Sequence, residues 1–341
     1  MEEMKNATRS QFRTELASLL RCLSCGHRLE HGPGGYECPH CRRSYPIKEG
    51  VACFVDSGSY ADSFGFQWHL YSQTQLDNDQ CRESESDFRK RTGFKPEDLK
   101  GKLVLDVGCG MGRFAEVATR WGARVIGIDL SAAAQVAARN LSDRDFVALQ
   151  ADVFDLPFAP ESFDLIYSIG VLHHTPDCER AVKALPQYLK RGGSLAVWLY
   201  SGYNKWYRFS DYYRRATRRM SPRVLHGILC VVVPLLNGVD VGLRWIPLVG
   251  RPLAGAVHHV FPVNRNPNRG MRVLDTFDWY SPRYQSKHTY EEVFRWFESC
   301  GLEDLHVADV PIAVRGRKPA RRPEARPALS EFASQDSEAI V

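Results

Sequence analysis

Three glycines in the run Val104-Leu105-Asp106-Val107-Gly108-Cys109-Gly110-Met111-Gly112 stand directly after an apolar stretch and before a helix-like one. Without Cβ atoms the backbone can approach a ligand closely, and a helix N-terminus follows to receive it. The spacing is G-x-G-x-G, not the G-x-G-x-x-G of dinucleotide folds. Asp106 at the strand end would repel a pyrophosphate but suits a ligand carrying an ammonium and a sulfonium, which describes S-adenosylmethionine. Taken alone, the motif also fits a structural turn in another α/β fold. Downstream, Asp129 closes RVIGID and is followed by Leu130, where a carboxylate can accept from two vicinal ribose hydroxyls. Asp152 lies in LQADVFDLPF, where its carboxylate and the amide of Val153 can grip an adenine edge. Each acid by itself also fits a cap or a turn. Three acids at successive strand ends on one side of a sheet form a cofactor constellation.

A second chemistry is written in Cys22-x2-Cys25, twelve residues, then Cys38-x2-Cys41. Two such knuckles can present four thiolates tetrahedrally to one Zn2+, and with no open position the metal would be structural. Gly26 and Pro39 stand where the knuckles need tight turns. His27 and His40 are spare, and the remaining cysteines read as small buried hydrophobes.

These residues need strands and helices to hold them. LVLDV, RVIGID, FVALQ, FDLIYSI and SLAVWLY are strand-like runs between residues 101 and 200, separated by helix-length segments Arg113 to Trp121, Ser131 to Asn140 and Asp177 to Lys190. That alternation predicts a parallel sheet with helices on both faces. The charged run from Arg82 to Lys90 reads as a solvated helix face. Residues 201–287 interrupt the alternation. Thr289 and Glu292 then have capping-box spacing for a helix that Gly301 closes, and DLHVADV and PIAVRG are two further strands. The chain therefore divides into an N-terminal helix and zinc ribbon (1–55), a linker with an aromatic lid (56–100), a cofactor-binding core (101–200), a substrate-side insertion (201–287), a final helix and strands (288–316) and a disordered tail (317–341).

With those motifs assembled, residues 101–200 resemble class I methyltransferases of the kind related to ubiquinone and menaquinone biosynthesis enzymes. The family's glycine motif matches Asp106, Gly108, Gly110 and Gly112, its ribose acid Asp129, its adenine acid Asp152, and its fourth-strand motif SIGVLHHTPD. The resemblance implies a Rossmann-like α/β fold. Its seven-stranded, mostly parallel sheet would end in an antiparallel hairpin, with the ribbon before it and a helical insertion after the fifth strand. It places Cys109, Leu130, Val153 and Ser168 beside the cofactor. His173 and His174 would lie near the transferred methyl group, where a histidine could accept a proton or simply shape the pocket. Tyr36 to Phe54 resembles zinc ribbons of small methyltransferase activators and of certain ribosomal RNA guanine methyltransferases. Trp68, within the aromatic run Phe64 to Tyr71, and Asp278, Tyr280, Arg283 and Tyr284 are the substrate-side candidates.

The 341 residues carry a net charge of +5, which tolerates anionic partners without demanding nucleic acid. Residues 1–20 contain no apolar signal region, which predicts a cytoplasmic chain whose cysteines stay reduced. Aromatic and basic residues interleave from Lys205 to Arg219, and Val224 to Val263 is apolar but broken by Pro234, Asn237, Asp240, Arg244 and Pro247. No uninterrupted run reaches transmembrane length. Residues 204–263 could cover an apolar pocket, form a plain helical subdomain or make a peripheral membrane contact. The expected substrate is a small molecule or a lipid- or sugar-linked intermediate. RNA, with Arg28, Arg42, Arg43 and Lys48 of the ribbon as phosphate contacts, is the alternative.

Overall fold

The computed structural model describes residues 12, 14–55, 65, 67, 70, 77, 82–203, 208–266 and 268–321. Trp68, most of the aromatic run around it, and residues 322–341 lie outside the described residues.

The apolar runs become strands β5 (Leu103–Val107), β6 (Arg124–Asp129), β7 (Phe146–Gln150), β8 (Phe163–Ile169) and β9 (Leu189–Trp198), all mutually parallel in the order β7-β6-β5-β8-β9. β11 (Ala313–Arg317) pairs antiparallel with β9, and β10 (Glu303–Val307) pairs antiparallel with β11. These seven strands are the Rossmann-like sheet expected from the sequence.

The sheet is larger than seven strands. Ribbon strands β1 (Glu30–Gly32), β2 (Gly35–Glu37), β3 (Ser44–Lys48) and β4 (Val51–Cys53) extend it to eleven, because β4 pairs in parallel with β7 through Ala52↔Leu149 and Cys53↔Gln150. Val51, Ala52 and Cys53 are all buried, so the ribbon covers what would otherwise be an open edge of unpaired backbone groups.

Side-chain alternation along β5 divides the core. Leu103, Leu105 and Val107 face one layer with Val293, Trp296 and Phe297 of α10 (Tyr290–Ser299). Val104 faces the other, beneath α1 (Glu83–Thr92) and α3 (Arg113–Arg120). α1 is anchored by fully buried Phe88, whose ring meets Trp121 at 5.3 Å and Tyr167 at 5.1 Å. The short α2 (Pro96–Leu99) leads into β5, and α4 (Ala133–Asn140) follows β6. The capping box at Thr289 and Glu292 opens α10 as its spacing predicts, with both reciprocal hydrogen bonds present.

Two expectations fail for identifiable reasons. The segment from Asp177 to Lys190 is not one helix. α5 (Cys178–Lys183) is capped by Asp177 and stops ahead of Pro186, whose ring starts a tight turn and cannot continue the ladder, and β9 begins at Leu189. Conversely, α7 (Pro222–Arg244) runs unbroken through Pro234 for 23 residues, and is long and apolar enough by composition to cross a membrane. Ser221 caps it, Pro222 supplies its first residue, and the one backbone hydrogen bond lost at Pro234 does not end it. Around it the insertion forms α6 (Arg208–Thr217), α8 (Gly250–Val260) and α9 (Arg269–Tyr280). Leu225, Leu229 and Val233 of α7 pack on Val273, Phe277 and Tyr280 of α9.

Candidate active site

The glycine turn leaves β5 at Val107 with Gly108, Gly110 and Gly112 at φ of 81°, 53° and 95°, a left-handed region that other residues enter at a cost. A Cβ on Gly108 would come within 2.4 Å of the Val171 side chain, so this position admits only glycine on two counts. The turn is tied to β6: the amides of Gly108 and Cys109 donate to the Ile128 carbonyl, and the Gly110 amide donates to Asp129 Oδ2 at 3.0 Å. Asp129 Oδ1 accepts from the Ser131 amide and hydroxyl at 2.9 and 2.7 Å. Burial raises its carboxyl above the ordinary range, against those three donors.

One cavity of about 700 Å3 opens beside this turn. Its wall takes in Gly108, Cys109, Gly110, Asp129, Leu130, Val153 and His174 of the expected residues. Asp106 is not in the wall. Strand alternation puts it on the face of Val104, where it is 3% exposed and accepts from the Tyr167 hydroxyl at 3.0 Å. Burial pushes its carboxyl up to about 8, helped by Asp129 and opposed by Tyr167. Asp152 is half-buried between the wall residues Ala151 and Val153, with Oδ1 accepting from the Phe154 amide, and buried Ser168 Oγ donates to the Val107 carbonyl.

The two histidines separate. His174 reaches the cavity, with Nδ1 3.0 Å from the Tyr284 carbonyl, and burial lowers its pKa to about 4. His173 is fully buried, stacked on the Tyr200 ring at 3.8 Å, and is held neutral by burial. Neither ring nitrogen of His173 has a hydrogen-bond partner among the described residues.

Of the substrate-side candidates among the described residues, Asp278 alone lines the cavity, and Trp68 lies outside the described residues. On α9 the positions Met271, Asp275 and Asp278 share the cavity face, while Val273, Phe277 and Tyr280 turn toward α7. Tyr280 therefore packs inside the insertion with its hydroxyl on the Pro262 carbonyl, Arg283 is exposed, and Tyr284 offers His174 a carbonyl.

Residues missed in the sequence complete the chamber. Tyr200, just past β9, donates to Asp278 Oδ2 at 3.3 Å and is stacked between His173 and Trp279. Burial pushes Asp278 up to about 7, reinforced by Asp275 and opposed by hydrogen bonds from Tyr200 and Gln67. Burial likewise pushes Asp275 up to about 6, although Arg113 and Arg91 oppose it. The Asn264 side chain donates to Asp275 at 2.7 Å. The charged run read as solvated turns its Glu83 and Asp87 side into the cavity, continued by Arg91 just past it: Asp87 bridges Arg91 and Arg113, and the Arg91 guanidinium lies 4.3 Å from the Trp198 ring centroid. The available signal was the spacing Glu83, Asp87, Arg91, which is one helix stripe.

Outside this cavity, the four ribbon thiols converge. Cys22 Sγ is 3.4 Å from Cys41 Sγ, Cys25 Sγ is 3.4 Å from Cys38 Sγ, and all four sulfurs lie within 4.8 Å of one another. Thiolates about 2.3 Å from a tetrahedral ion stand about 3.8 Å apart, so this donor set fits zinc. Gly26, at φ 72°, turns the first knuckle.

The chain is similar in sequence to known methyltransferases. A methyltransferase-domain family matches residues 105–197. The human protein named probable tRNA methyltransferase 9B is 34% identical over 111 residues, covering 32% of this chain and 23% of that protein. The ubiquinone biosynthesis O-methyltransferase of Coxiella burnetii is 35% identical over 100 residues, covering 28% of this chain and 43% of that protein. An S-adenosylmethionine-dependent methyltransferase structure from Mesorhizobium loti covers 70% of this chain and 99% of its own, at 19% identity and a TM-score of 0.40. The chain thus spans less than half the length of these two curated relatives, and the shared region is a methyltransferase domain.

Proposed function

We propose that the chain transfers a methyl group from S-adenosylmethionine to a small-molecule or lipid- or sugar-linked acceptor. The observation that carries this reading is the continuity of one cavity, from the glycine turn and Asp129 to the chamber of Tyr200, Asp278 and Trp279. Asp129 would hold the ribose hydroxyls, Leu130 and the Ala151–Val153 segment the adenine, and the backbone of the turn the amino-acid end. When bound, the cofactor supplies an electrophilic methyl group on a positively charged sulfur.

The chain's own residues hold the acceptor and receive its proton. Aromatic faces of Trp279 and Tyr200 and the carboxyls of Asp275 and Asp278 orient it, which is the larger part of such a reaction. Among the candidate bases, His174 at about 4 binds a proton too weakly near neutrality, whereas Asp278 at about 7 is matched to the task. The proton leaving the acceptor therefore goes to Asp278, with Tyr200 fixing the carboxylate. His174 shapes the wall and His173 supports Tyr200. The ribbon cysteines Cys22, Cys25, Cys38 and Cys41 hold a structural Zn2+.

Methylation of an RNA base is the second reading, favoured by exposed Arg28, Arg42, Arg43 and Lys48 on the ribbon and by similarity to the human protein named for tRNA. Exposed Glu30, Glu37 and Glu49 on the same ribbon weigh against a phosphate track. Incubating cell extract with the full chain and methyl-labelled cofactor, then separating RNA, lipid and small molecules, distinguishes the two. Label in the lipid or small-molecule fraction, absent with Asp278→Asn, is expected. Label confined to RNA would overturn the first reading.

A further inference from the structure

The insertion carries an apolar surface that the cavity does not use. α7 buries Leu225, Leu229 and Val233 against α9, yet a second stripe of the same helix, Val224, Ile228, Val231, Leu235 and Val239, is exposed. Those positions follow the 3.6-residue period, so they form one continuous face. The turn into α8 continues it: Trp245 is 83% exposed and Leu248 is 98% exposed, with Ile246, Val249 and Leu253 beside them. A water-soluble surface rarely gathers so many large apolar side chains in one place.

What surrounds the face says what covers it. Residues 201–272 contain twelve Lys and Arg against two Asp. Of these, Arg215, Arg218, Arg219 and Arg223 are exposed at the start of α7, and Arg244 and Arg251 flank the apolar turn at its other end. Of the two acids, Asp240 is already paired with Arg244 and Arg265, at 2.9 and 2.7 Å. An apolar stripe with cationic ends complements a bilayer rich in anionic lipid, whose acyl region takes the stripe and whose headgroups take the arginines. An isologous contact with a second copy would instead set the arginine rim against itself. α7 cannot leave the fold to span the bilayer without uncovering Val273, Phe277 and Tyr280 of α9 to water.

We propose that the α7–α8 hairpin is an interfacial anchor that lays its apolar stripe and the Trp245–Val249 turn into an anionic membrane surface. It is independent of the methyl-transfer reading, because membrane binding is read without cofactor. Through α9 and Asn264 the hairpin also adjoins the acceptor end of the cavity.

Flotation of the full chain with phosphatidylcholine vesicles, and with vesicles of phosphatidylcholine and phosphatidylglycerol, tests it. The chain should float with the anionic vesicles and far less with the neutral ones. Trp245→Asp combined with Leu248→Asp should lower partition by roughly a hundredfold. Replacing Arg215, Arg218 and Arg219 with Gln should lower it roughly fivefold per charge. An unchanged thermal melt shows that each variant is folded, and neither touches the cavity. No flotation, or equal flotation by the folded Asp variant, overturns the proposal. A doubled mass in solution that reverts in the Asp variant, without vesicle binding, would assign the face to a second copy instead. Labelled RNA retained by the Asp variant but lost with the arginines, again without flotation, would overturn it as well.

Discussion

Asp278 should make the protein less stable as pH rises through neutrality. Asp278 lies on α9 with the Tyr200 hydroxyl donating to it, and burial lifts its carboxyl to about 7 against 3.8 in an open chain. A carboxyl with a raised folded pKa holds its proton more tightly when folded. Its contribution to stability is complete below about pH 4 and is lost as pH climbs toward 7, because the unfolded chain ionises freely in water while the buried group must give up its proton or be buried charged. The whole difference is about 4 kcal/mol, at 1.36 kcal/mol per unit. Between about pH 5.5 and 8 it is about 2 kcal/mol. Asp278→Asn removes this group and leaves an amide that can still accept from Tyr200. Urea unfolding of both proteins at the two pH values measures the effect: the variant should gain roughly 2 kcal/mol relative to wild type on going to the higher pH. A difference independent of pH would show that Asp278 titrates as an ordinary carboxylate, and would remove the reason for preferring it to His174 as the proton acceptor.

Other perturbations follow from particular contacts. Gly108→Ala puts a Cβ against Val171 at a left-handed φ, so calorimetry should show cofactor binding lost and the melt lowered by roughly 2 kcal/mol equivalent. Phe88→Ala empties a fully buried site between Trp121 and Tyr167, and should cost about 3–5 kcal/mol in urea unfolding; less than about 1 kcal/mol would mean α1 is not anchored there. Elemental analysis should find about one zinc per chain. Because β4 is part of the main sheet, Cys22→Ser with Cys25→Ser should lose that zinc and lower the melt of the catalytic core too. A core melt unchanged by metal loss would show that the ribbon is energetically separate.

The strands of the core were legible because each is an apolar run bounded by turn residues, and the glycine turn because its three left-handed positions leave little choice of residue. Less legible was which side of a strand faces the ligand. Asp106 was read as a cofactor partner, and β5 alternation sets it on the Val104 face with the Tyr167 hydroxyl on its carboxylate. On α9 a similar parity question decides between Asp278, which lines the cavity, and Tyr280, which does not. Tyr200 gave no signal of its own, since its place depends on the hydrogen bond to Asp278 far along the chain, and Asp275 gave none because Asn264 and the arginines of α1 and α3 meet it only in the folded chain. Asp87 and Arg91 were hidden by the ordinary meaning of a charged helix, that of a solvated face. The ribbon motif was plain, but its pairing with β7 rests on three short apolar residues that no local pattern marks as part of a larger sheet.

Asp129 is where the cofactor assignment can be tested with the fewest assumptions, since it lies in the cavity wall and also ties the glycine turn to β6. Isothermal titration of S-adenosylmethionine into the wild-type chain and into Asp129→Ala should show one site per chain in the first, and at least a tenfold weaker one in a folded second, as expected when a carboxylate that accepts ribose hydroxyls is removed. Wild-type protein that binds no S-adenosylmethionine, or binding that Asp129→Ala leaves unchanged, would contradict the assignment of this cavity to the cofactor.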